Sequence, residues 1–257
     1  MAKSGSYHPG VLRFAHVVLL ATVLVAWQLA ALAGLPQFIL SPLEIGKHFF
    51  AALGTREFYE DVAASLGRSL PGFALGAALG AALGLAAGVA RWFDRLLSPA
   101  VFLTYPVPKI VMLPIFMIWF GIGDLSKVLI IALACFYPVF INAYYGVKAT
   151  PAILVWSALN MGAGRGAIFR RVVLPSAAPM IFAGMRVSLA LSFIVMFAAE
   201  MINARSGLGH LIRVAESSLR FDLMYVSLLA VAILGYAGDR LVRLAQRRLL
   251  AWHEQPA

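Results

Sequence analysis

Long apolar runs alternate with short polar intervals along the whole chain. The runs lie at about 14–35, 70–90, 97–120, 128–147, 178–201 and 223–241. About 20 apolar residues in a helix cross the ~30 Å hydrocarbon layer of a bilayer, so each run predicts one transmembrane helix. The pattern therefore predicts one all-α integral membrane domain over residues 1–257, with about six transmembrane helices.

Two of the polar intervals are longer than the rest. Residues 36–68 mix acids and bases with scattered apolar residues, which predicts an outer segment carrying one or two surface helices. Residues 148–177 join the fourth and fifth runs and form the second interval. At the end of the first run, 31–33 has the small-x-small form of a signal cleavage site. The run is longer than the ~7–15 apolar residues of a signal peptide, so we expect an uncleaved anchor.

Composition and charge support a membrane protein and suggest its orientation. Of the 257 residues, 62% are hydrophobic and 12% charged, which is too apolar for a soluble globule. The net charge of +10 comes from bases beside apolar runs, where membrane topology explains them better than nucleic acid does. Placing residues 148–177 in the cytoplasm puts twelve Lys and Arg residues inside and seven outside. This bias predicts that both termini are cytoplasmic.

Glycine and proline distinguish two of the runs. The second has glycine at every fourth position from Gly72 to Gly88, which permits close helix packing. We favour packing inside one subunit over a contact between subunits. The third contains Pro99, Pro106, Pro108 and Pro114, and their missing backbone donors predict kinks turned towards the protein interior.

The interval 148–177 has the features of a docking element. Gly162, Gly164 and Gly166 tolerate the angles of a tight reversal between two short helical pieces, and Pro175 is expected to end the second piece. Four apolar residues between 168 and 173 can share one face, with the arginines elsewhere. The arginines could instead be simple topology anchors.

The spacing of this interval resembles a known motif. Gly162, nine residues and then Val172-Val-Leu174-Pro175 resembles the EAA loop of ABC importer permeases, although Trp156-Ser-Ala158 stands where the family has Glu-Ala-Ala. Residues 104–109, 119–127 and 200–210 resemble the nitrate, sulfonate and taurine branch of that family. The resemblance implies a coupling helix that sits in a cleft of an ATPase. The coupling residues it implies are Gly162, Gly164, Arg165, Phe169, Arg170, Arg171, Val172, Leu174 and Pro175.

The resemblance also implies partners and a class of solute. The working complex would lie in a bacterial inner membrane and contain two permease copies, two ABC ATPase subunits inside and a soluble substrate-binding protein outside. Solutes of the branch include nitrate, taurine, alkyl sulfonates, bicarbonate and some vitamin precursors, and the bases favour an anion.

Four residues within the runs are candidates for a translocation path. Pro108 and Lys109 lie in the third run, while Arg186 and Glu200 lie in the fifth. Lys109 and Arg186 could attract an anionic solute, or they could be structural cations that reach the interface or a backbone carbonyl. Glu200 could be an interhelical partner. It lies 14 residues from Arg186, about 21 Å along a helix, so the two cannot pair within one helix.

Other chemistry is not indicated by the sequence. Cys135 lies in an apolar run and predicts a buried structural thiol, and five scattered histidines predict no metal site. Neither a phosphate-binding loop nor a hydrolytic triad is evident, so ATP is expected to be bound and hydrolysed by a partner, with no cofactor and no catalysis in this chain. A self-sufficient secondary transporter or channel is the alternative, although it would be expected to show inverted repeats or several mid-membrane ionisable residues. A membrane scaffold is a third possibility.

Overall fold

The computed structural model describes residues 9–33, 36 and 38–250, and they form helices joined by short connections. The helices are α1 (Pro9–Leu32), α2 (Pro42–Ala52), α3 (Arg56–Val89), α4 (Arg91–Thr104), α5 (Leu113–Phe120), α6 (Asp124–Lys148), α7 (Ala152–Asn160), α8 (Arg165–Ile168), α9 (Leu174–Asn203), α10 (Leu208–Ser217) and α11 (Phe221–Leu249). A 3₁₀ turn (Lys109–Met112) precedes α5, and a π-turn (Phe169–Val173) joins α8 to α9. No strand occurs in these described ranges.

The apolar helices follow the order of the six predicted runs. Among the described residues, four continuous helices are long and apolar enough to cross a bilayer: α3, α6, the stretch Arg165–Asn203, and α11. The pair Arg91–Thr104 and Lys109–Phe120 passes the same test as a bent segment, and α1 contributes the shorter apolar stretch Val17–Leu32. The all-α membrane fold is thus confirmed. Both predicted cytoplasmic termini and the end of the first run, 34–35, lie outside the described residues.

The outer interval between the first two runs contains one surface helix, within the predicted one or two, but its second half belongs to a membrane helix. This surface helix, α2, begins at a capping box in which the side chains of Ser41 and Glu44 each accept a hydrogen bond from the other residue's backbone N–H. Pro42 lies in its first turn. The next helix begins at Arg56 and runs without a break through the second apolar run to Val89. No helix-breaking sequence separates 56 from 70, so the charged outer residues form the first turns of the membrane helix.

The third run is a broken segment instead of a kinked helix. It begins earlier than predicted, at Arg91, and α4 ends at Thr104 before the sequence Pro106-Val-Pro108. Proline restricts the preceding residue to extended angles and removes a backbone donor, so two closely spaced prolines end the helix. The chain resumes as the 3₁₀ turn and α5, at 94° to α4.

The core is built around α6, which packs between α3 and α9. Its side chains at Ile130, Ile131, Cys135, Val139 and Phe140 are fully enclosed, and the thiol is buried as predicted. Ile130, Ile131 and Cys135 share one cluster with apolar residues of α9, whereas Val139 and Phe140 belong to two neighbouring clusters.

The glycine ladder of α3 faces α6 along its whole length. A Cβ at Gly72 would lie 2.6 Å from Ile131, one at Gly80 would lie 2.6 Å from the Phe136 carbonyl oxygen, and one at Gly88 would lie 2.6 Å from Val147. Steps of four on α3 are matched by similar steps on α6, as when the i±4 rows of two helices interdigitate. The prediction that the glycines pack within one subunit is confirmed.

Candidate coupling segment and transmembrane cavities

The interval between α6 and α9 begins with a short, exposed apolar helix. α7 contains no charged residue, yet Ile153 is 63% exposed, Trp156 62% and Leu159 51%. Only Ala158 of this helix is buried. An apolar helix face left without a partner is a feature of interaction sites.

Gly162 fixes the end of this helix. Its φ is +78°, and its N–H donates to the Leu159 carbonyl at 2.9 Å, while the Ala163 N–H donates to the Ala158 carbonyl at 3.0 Å. These are the two hydrogen bonds of a Schellman cap, in which glycine avoids the strain of a left-handed residue. Gly164 and Gly166 adopt no such angle, so the reversal depends on one glycine and not on all three predicted.

Pro175 does not end a helix, contrary to the prediction. It lies in the first turn of α9, and the helical chain runs continuously from Arg165 to Asn203. A proline cannot donate to the carbonyl four residues earlier and its ring crowds that group. The π-turn Phe169–Val173 lies directly before α9 and widens the helix there, so the chain accommodates Pro175 without stopping.

The predicted division of this second piece into two faces is present. Ile168 is buried, and Phe169, Val172, Val173 and Leu174 are half-buried. The guanidinium-bearing residues Arg165, Arg170 and Arg171 are exposed. The segment therefore presents bases beside the exposed apolar face of α7.

Two of the predicted path residues line a transmembrane cavity of about 210 Å³. Pro108 and Lys109 form one wall with neighbours from the broken third segment, and residues of α6 and α9 form the other. The lining residues are Tyr105, Val107, Pro108, Lys109, Ile110, Ala134, Tyr137, Pro138, Leu191, Ile194, Val195 and Ala198.

The Lys109 ammonium is held by its own segment. It donates to the carbonyl oxygens of Thr104, Tyr105 and Val107 at 2.8, 3.0 and 2.6 Å, and lies 4.0 Å from the ring centroid of Tyr137. An ammonium has three donors, so all are used. Lys109 caps the broken end of α4 and brings a positive charge to the cavity.

Arg186 lies elsewhere, between α9 and α11. Its Nε is 3.0 Å from a carboxylate oxygen of Asp239, which also pairs with Arg243 one turn further along α11. The cation therefore has a carboxylate partner, where the sequence suggested a backbone carbonyl or a solute. Asp239 was missed because nothing in the sequence sets the register of α11 against α9.

Glu200 is an anchor, not a residue of an open path. Its fully buried carboxylate accepts hydrogen bonds from Ser65 at 2.9 Å, from Arg68 at 2.6 Å and from the Gly209 N–H at 3.0 Å. Arg68 in turn reaches Asp124 at 2.6 Å. The cluster joins α3, α6, α9 and α10 at one end of the bundle. The interhelical role considered for Glu200 is present, but its partners Ser65 and Arg68 were missed because they lie 135 and 132 residues away in the sequence.

Comparison with known proteins gives this arrangement a family. A family model described as binding-protein-dependent transport system inner membrane component matches residues 64–251. The chain belongs to this family. The predicted ABC importer permease, in the branch that handles sulfonates and taurine, is thereby confirmed.

Individual relatives of the permease cover almost its whole length. It is 35% identical over 245 residues to the putative aliphatic sulfonates transport permease protein SsuC of Escherichia coli, covering 95% of this chain and 93% of the relative. It is 33% identical to the taurine transport system permease protein TauC of the same organism, over 91% and 88%. It is 37% identical to the riboflavin transport system permease protein RibX of Chloroflexus aurantiacus, over 91% and 88%.

Solved structures share the permease fold. A bacterial alginate ABC transporter, in complex with an alginate pentasaccharide-bound periplasmic protein, gives a TM-score of 0.63 over 93% of this chain and 95% of that chain, at 14% identity. An inward-facing MetNI methionine ABC transporter gives 0.55 over 76% and 97%, at 22% identity. At these identities the likeness shows the fold alone.

Proposed function

We propose that this permease forms the translocation path of an ATP-driven importer for a small organic anion, an alkyl sulfonate or taurine, and that α7 is its coupling helix. Nitrate and bicarbonate, which the family resemblance also allows, lack the organic part that the apolar cavity suits. In this arrangement two permease copies pair with two ATPase subunits on the cytoplasmic side, where both termini also lie. A substrate-binding protein delivers the solute from outside.

The exposed apolar face of α7 carries the coupling proposal. Ile153, Trp156 and Leu159 are each more than half exposed among the described residues, and an ATPase cleft would cover them. Exposed arginines beside them add long-range attraction and orientation. Gly162 then links α7 rigidly to the helical stretch Arg165–Asn203, so a displacement of α7 is passed to α9.

Replacing apolar residues of α7 with acids tests this role. We expect Ile153→Asp with Leu159→Asp to abolish co-purification of the ATPase, because two buried, unpaired carboxylates would oppose docking. Membrane insertion should be unchanged, since both side chains are exposed. Leu219→Asp is the matched control, because Leu219 is 72% exposed on the opposite side of the proposed topology. Retained ATPase binding in the double variant would refute the docking role.

The solute class rests on the cavity and on the relatives. Its walls are apolar and suit an alkyl chain, while Lys109 contributes a charge that attracts an anion without offering a free donor. The named solutes of SsuC and TauC are anions or zwitterions, whereas RibX carries riboflavin. Uptake of labelled taurine and alkanesulfonates into vesicles, with ATPase and binding protein added, tests the proposal. Uptake of riboflavin with no competition from sulfonates would contradict it.

A further inference from the structure

A second cavity, of about 290 Å³, lies where the outer ends of α3, α6 and α9 meet. It shares no lining residue with the cavity around Lys109. Its walls come from α3, from the start of α6 with the two residues before it, and from the end of α9 with the three residues after it. The lining residues are Arg68, Ile122, Gly123, Asp124, Lys127, Asn203, Ala204, Arg205 and Ser206. The function described so far makes no use of it.

Positive charge predominates in this outer cavity. Arg68, Lys127 and Arg205 line it, against the single carboxylate of Asp124. Arg68 is a fixed wall, because its guanidinium is 2.6 Å from both Asp124 and Glu200 and donates to the Ser206 carbonyl at 2.7 Å. The remaining attraction for a ligand comes from Lys127 and Arg205.

Lys127 is the decisive side chain. It is only 3% exposed, and its ammonium donates to the Gly123 carbonyl at 3.0 Å. Within the described part of the chain it has no second acceptor and no ion pair, so two of its three donors are unused. Asp124 lines the same cavity but forms its ion pair with Arg68, so it does not pair with the buried ammonium, and an anion in the cavity would relieve the remaining cost.

Two further features suit an anion at the same place. The cavity adjoins the N-terminus of α6, a 25-residue helix whose dipole places partial positive charge there. Arg205 lies exposed at the rim, where a second cation can contact the ligand's outer oxygens.

We propose that this outer cavity binds an oxyanion group, a sulfonate, sulfate or phosphate, between the ammonium of Lys127 and the guanidinium of Arg205. The group comes either from a free solute or from the phosphodiester of a bilayer lipid. If the ligand is the solute, the cavity is an initial binding site that the solute occupies before the translocation path opens. That role rests on the proposed import of anions, whereas binding itself does not.

Binding is measured on the full chain in nanodiscs of zwitterionic lipid, by calorimetric titration with sulfate and ethanesulfonate at constant ionic strength. We expect saturable binding that Lys127→Met weakens at least about tenfold, through loss of charge-assisted hydrogen bonds. Arg205 is exposed at the rim, so Arg205→Gln should not disturb folding. It should weaken anion binding about threefold, as expected for a half-solvated contact. Arg56→Gln removes an equally charged, exposed residue of α3 outside the cavity and should leave binding unchanged.

Nanodiscs containing phosphatidylglycerol separate the two sources. A lipid ligand predicts that this lipid lowers the apparent affinity for sulfate in the wild type, and that Lys127→Met co-purifies with less of it. A solute ligand predicts equal sulfate affinity in both membranes. Absence of saturable binding in every membrane, or equal binding by the wild type and both cavity variants, would overturn the site. ATP-driven uptake that persists without such binding would refute only the proposed anion site. Binding without uptake would refute only the transport proposal.

Discussion

Adding one methyl group to the interface between α3 and α6 tests whether the glycine ladder sets their separation. In Gly80→Ala, the new Cβ would lie 2.6 Å from the Phe136 carbonyl oxygen, about 0.8 Å closer than the 3.4 Å at which ordinary contact begins. It would also lie 3.0 Å from Val139. Backbone atoms cannot rotate away, so the two helices must separate locally.

The energetic balance follows from two opposing effects. Alanine in a helix interior is favoured over glycine by about 0.5–1 kcal/mol, which stabilises the variant. Overpacking a tight core costs about 1–3 kcal/mol, and a gap of 0.5–1 Å forfeits a quarter to a half of each neighbouring dispersion contact. We therefore expect Gly80→Ala to lower the free energy of unfolding by roughly 1–2 kcal/mol.

Gly67 of the same helix is the matched control. A Cβ there would meet nothing within 4 Å, so Gly67→Ala should raise the free energy of unfolding by about 0.5–1 kcal/mol. Reversible unfolding in mixed micelles, followed by circular dichroism, compares both variants with the wild type. Equal shifts of the same sign would refute the idea that close backbone approach explains the ladder.

Three further predictions concern an anchor, a helix cap and a pH effect. Glu200→Gln should lower the free energy of unfolding by roughly 3–5 kcal/mol because it breaks a buried ion pair. Glu60→Gln, in an exposed pair, should lower it by under about 1 kcal/mol. Equal effects of the two variants in unfolding titrations would contradict this. Gly162→Ala should cost about 1 kcal/mol of backbone strain at a left-handed position and speed amide exchange in α7. Gly166→Ala should leave exchange unchanged. Unchanged exchange in both variants would contradict the capping role. Hydrogen bonds from the backbone and hydroxyl of the N-cap serine lower the pKa of Glu44, so their stabilisation is present above the unfolded value of about 4.3 and is lost as the pH falls through the lower folded value. Amide exchange in α2 should then quicken in acid, and Glu44→Gln should abolish that pH dependence.

Features set by local spacing could be predicted from the sequence. Glycine at every fourth position has one main physical use in a membrane helix, and the ladder from Gly72 to Gly88 packs as that use requires. The split faces of residues 168–173 also follow from helical periodicity alone. Pro175 shows the limit of such reasoning. Proline is compatible with the end of one helix and with the first turn of the next, and the π-turn that decides between them has no sequence signature.

Long-range pairings could not be predicted. Glu200 falls in a segment that resembles the family, yet no rule of spacing joins it to Arg68, which lies 132 residues away. Arg186 and Asp239 meet because α9 and α11 pack in one particular register, which depends on the side chains of both helices. Whether an apolar residue is exposed, as in α7, likewise depends on which surfaces the rest of the chain leaves uncovered.

The contacts around the Lys109 cavity indicate which of its walls moves. The Ser188 hydroxyl donates to the Cys135 carbonyl at 3.0 Å and the Cys135 thiol donates to the Ser188 carbonyl at 3.3 Å, so α6 and α9 are tied to each other. The coupling segment joins these same two helices, and a push on α7 therefore reaches them as one body. The opposite wall, residues 105–110, lies where the helix is interrupted. There the Lys109 ammonium donates to backbone carbonyls of the same segment. These backbone hydrogen bonds keep the segment's shape, so we expect the cavity to open by movement of α6 and α9 away from it, with loss of the contact between Lys109 and the Tyr137 ring.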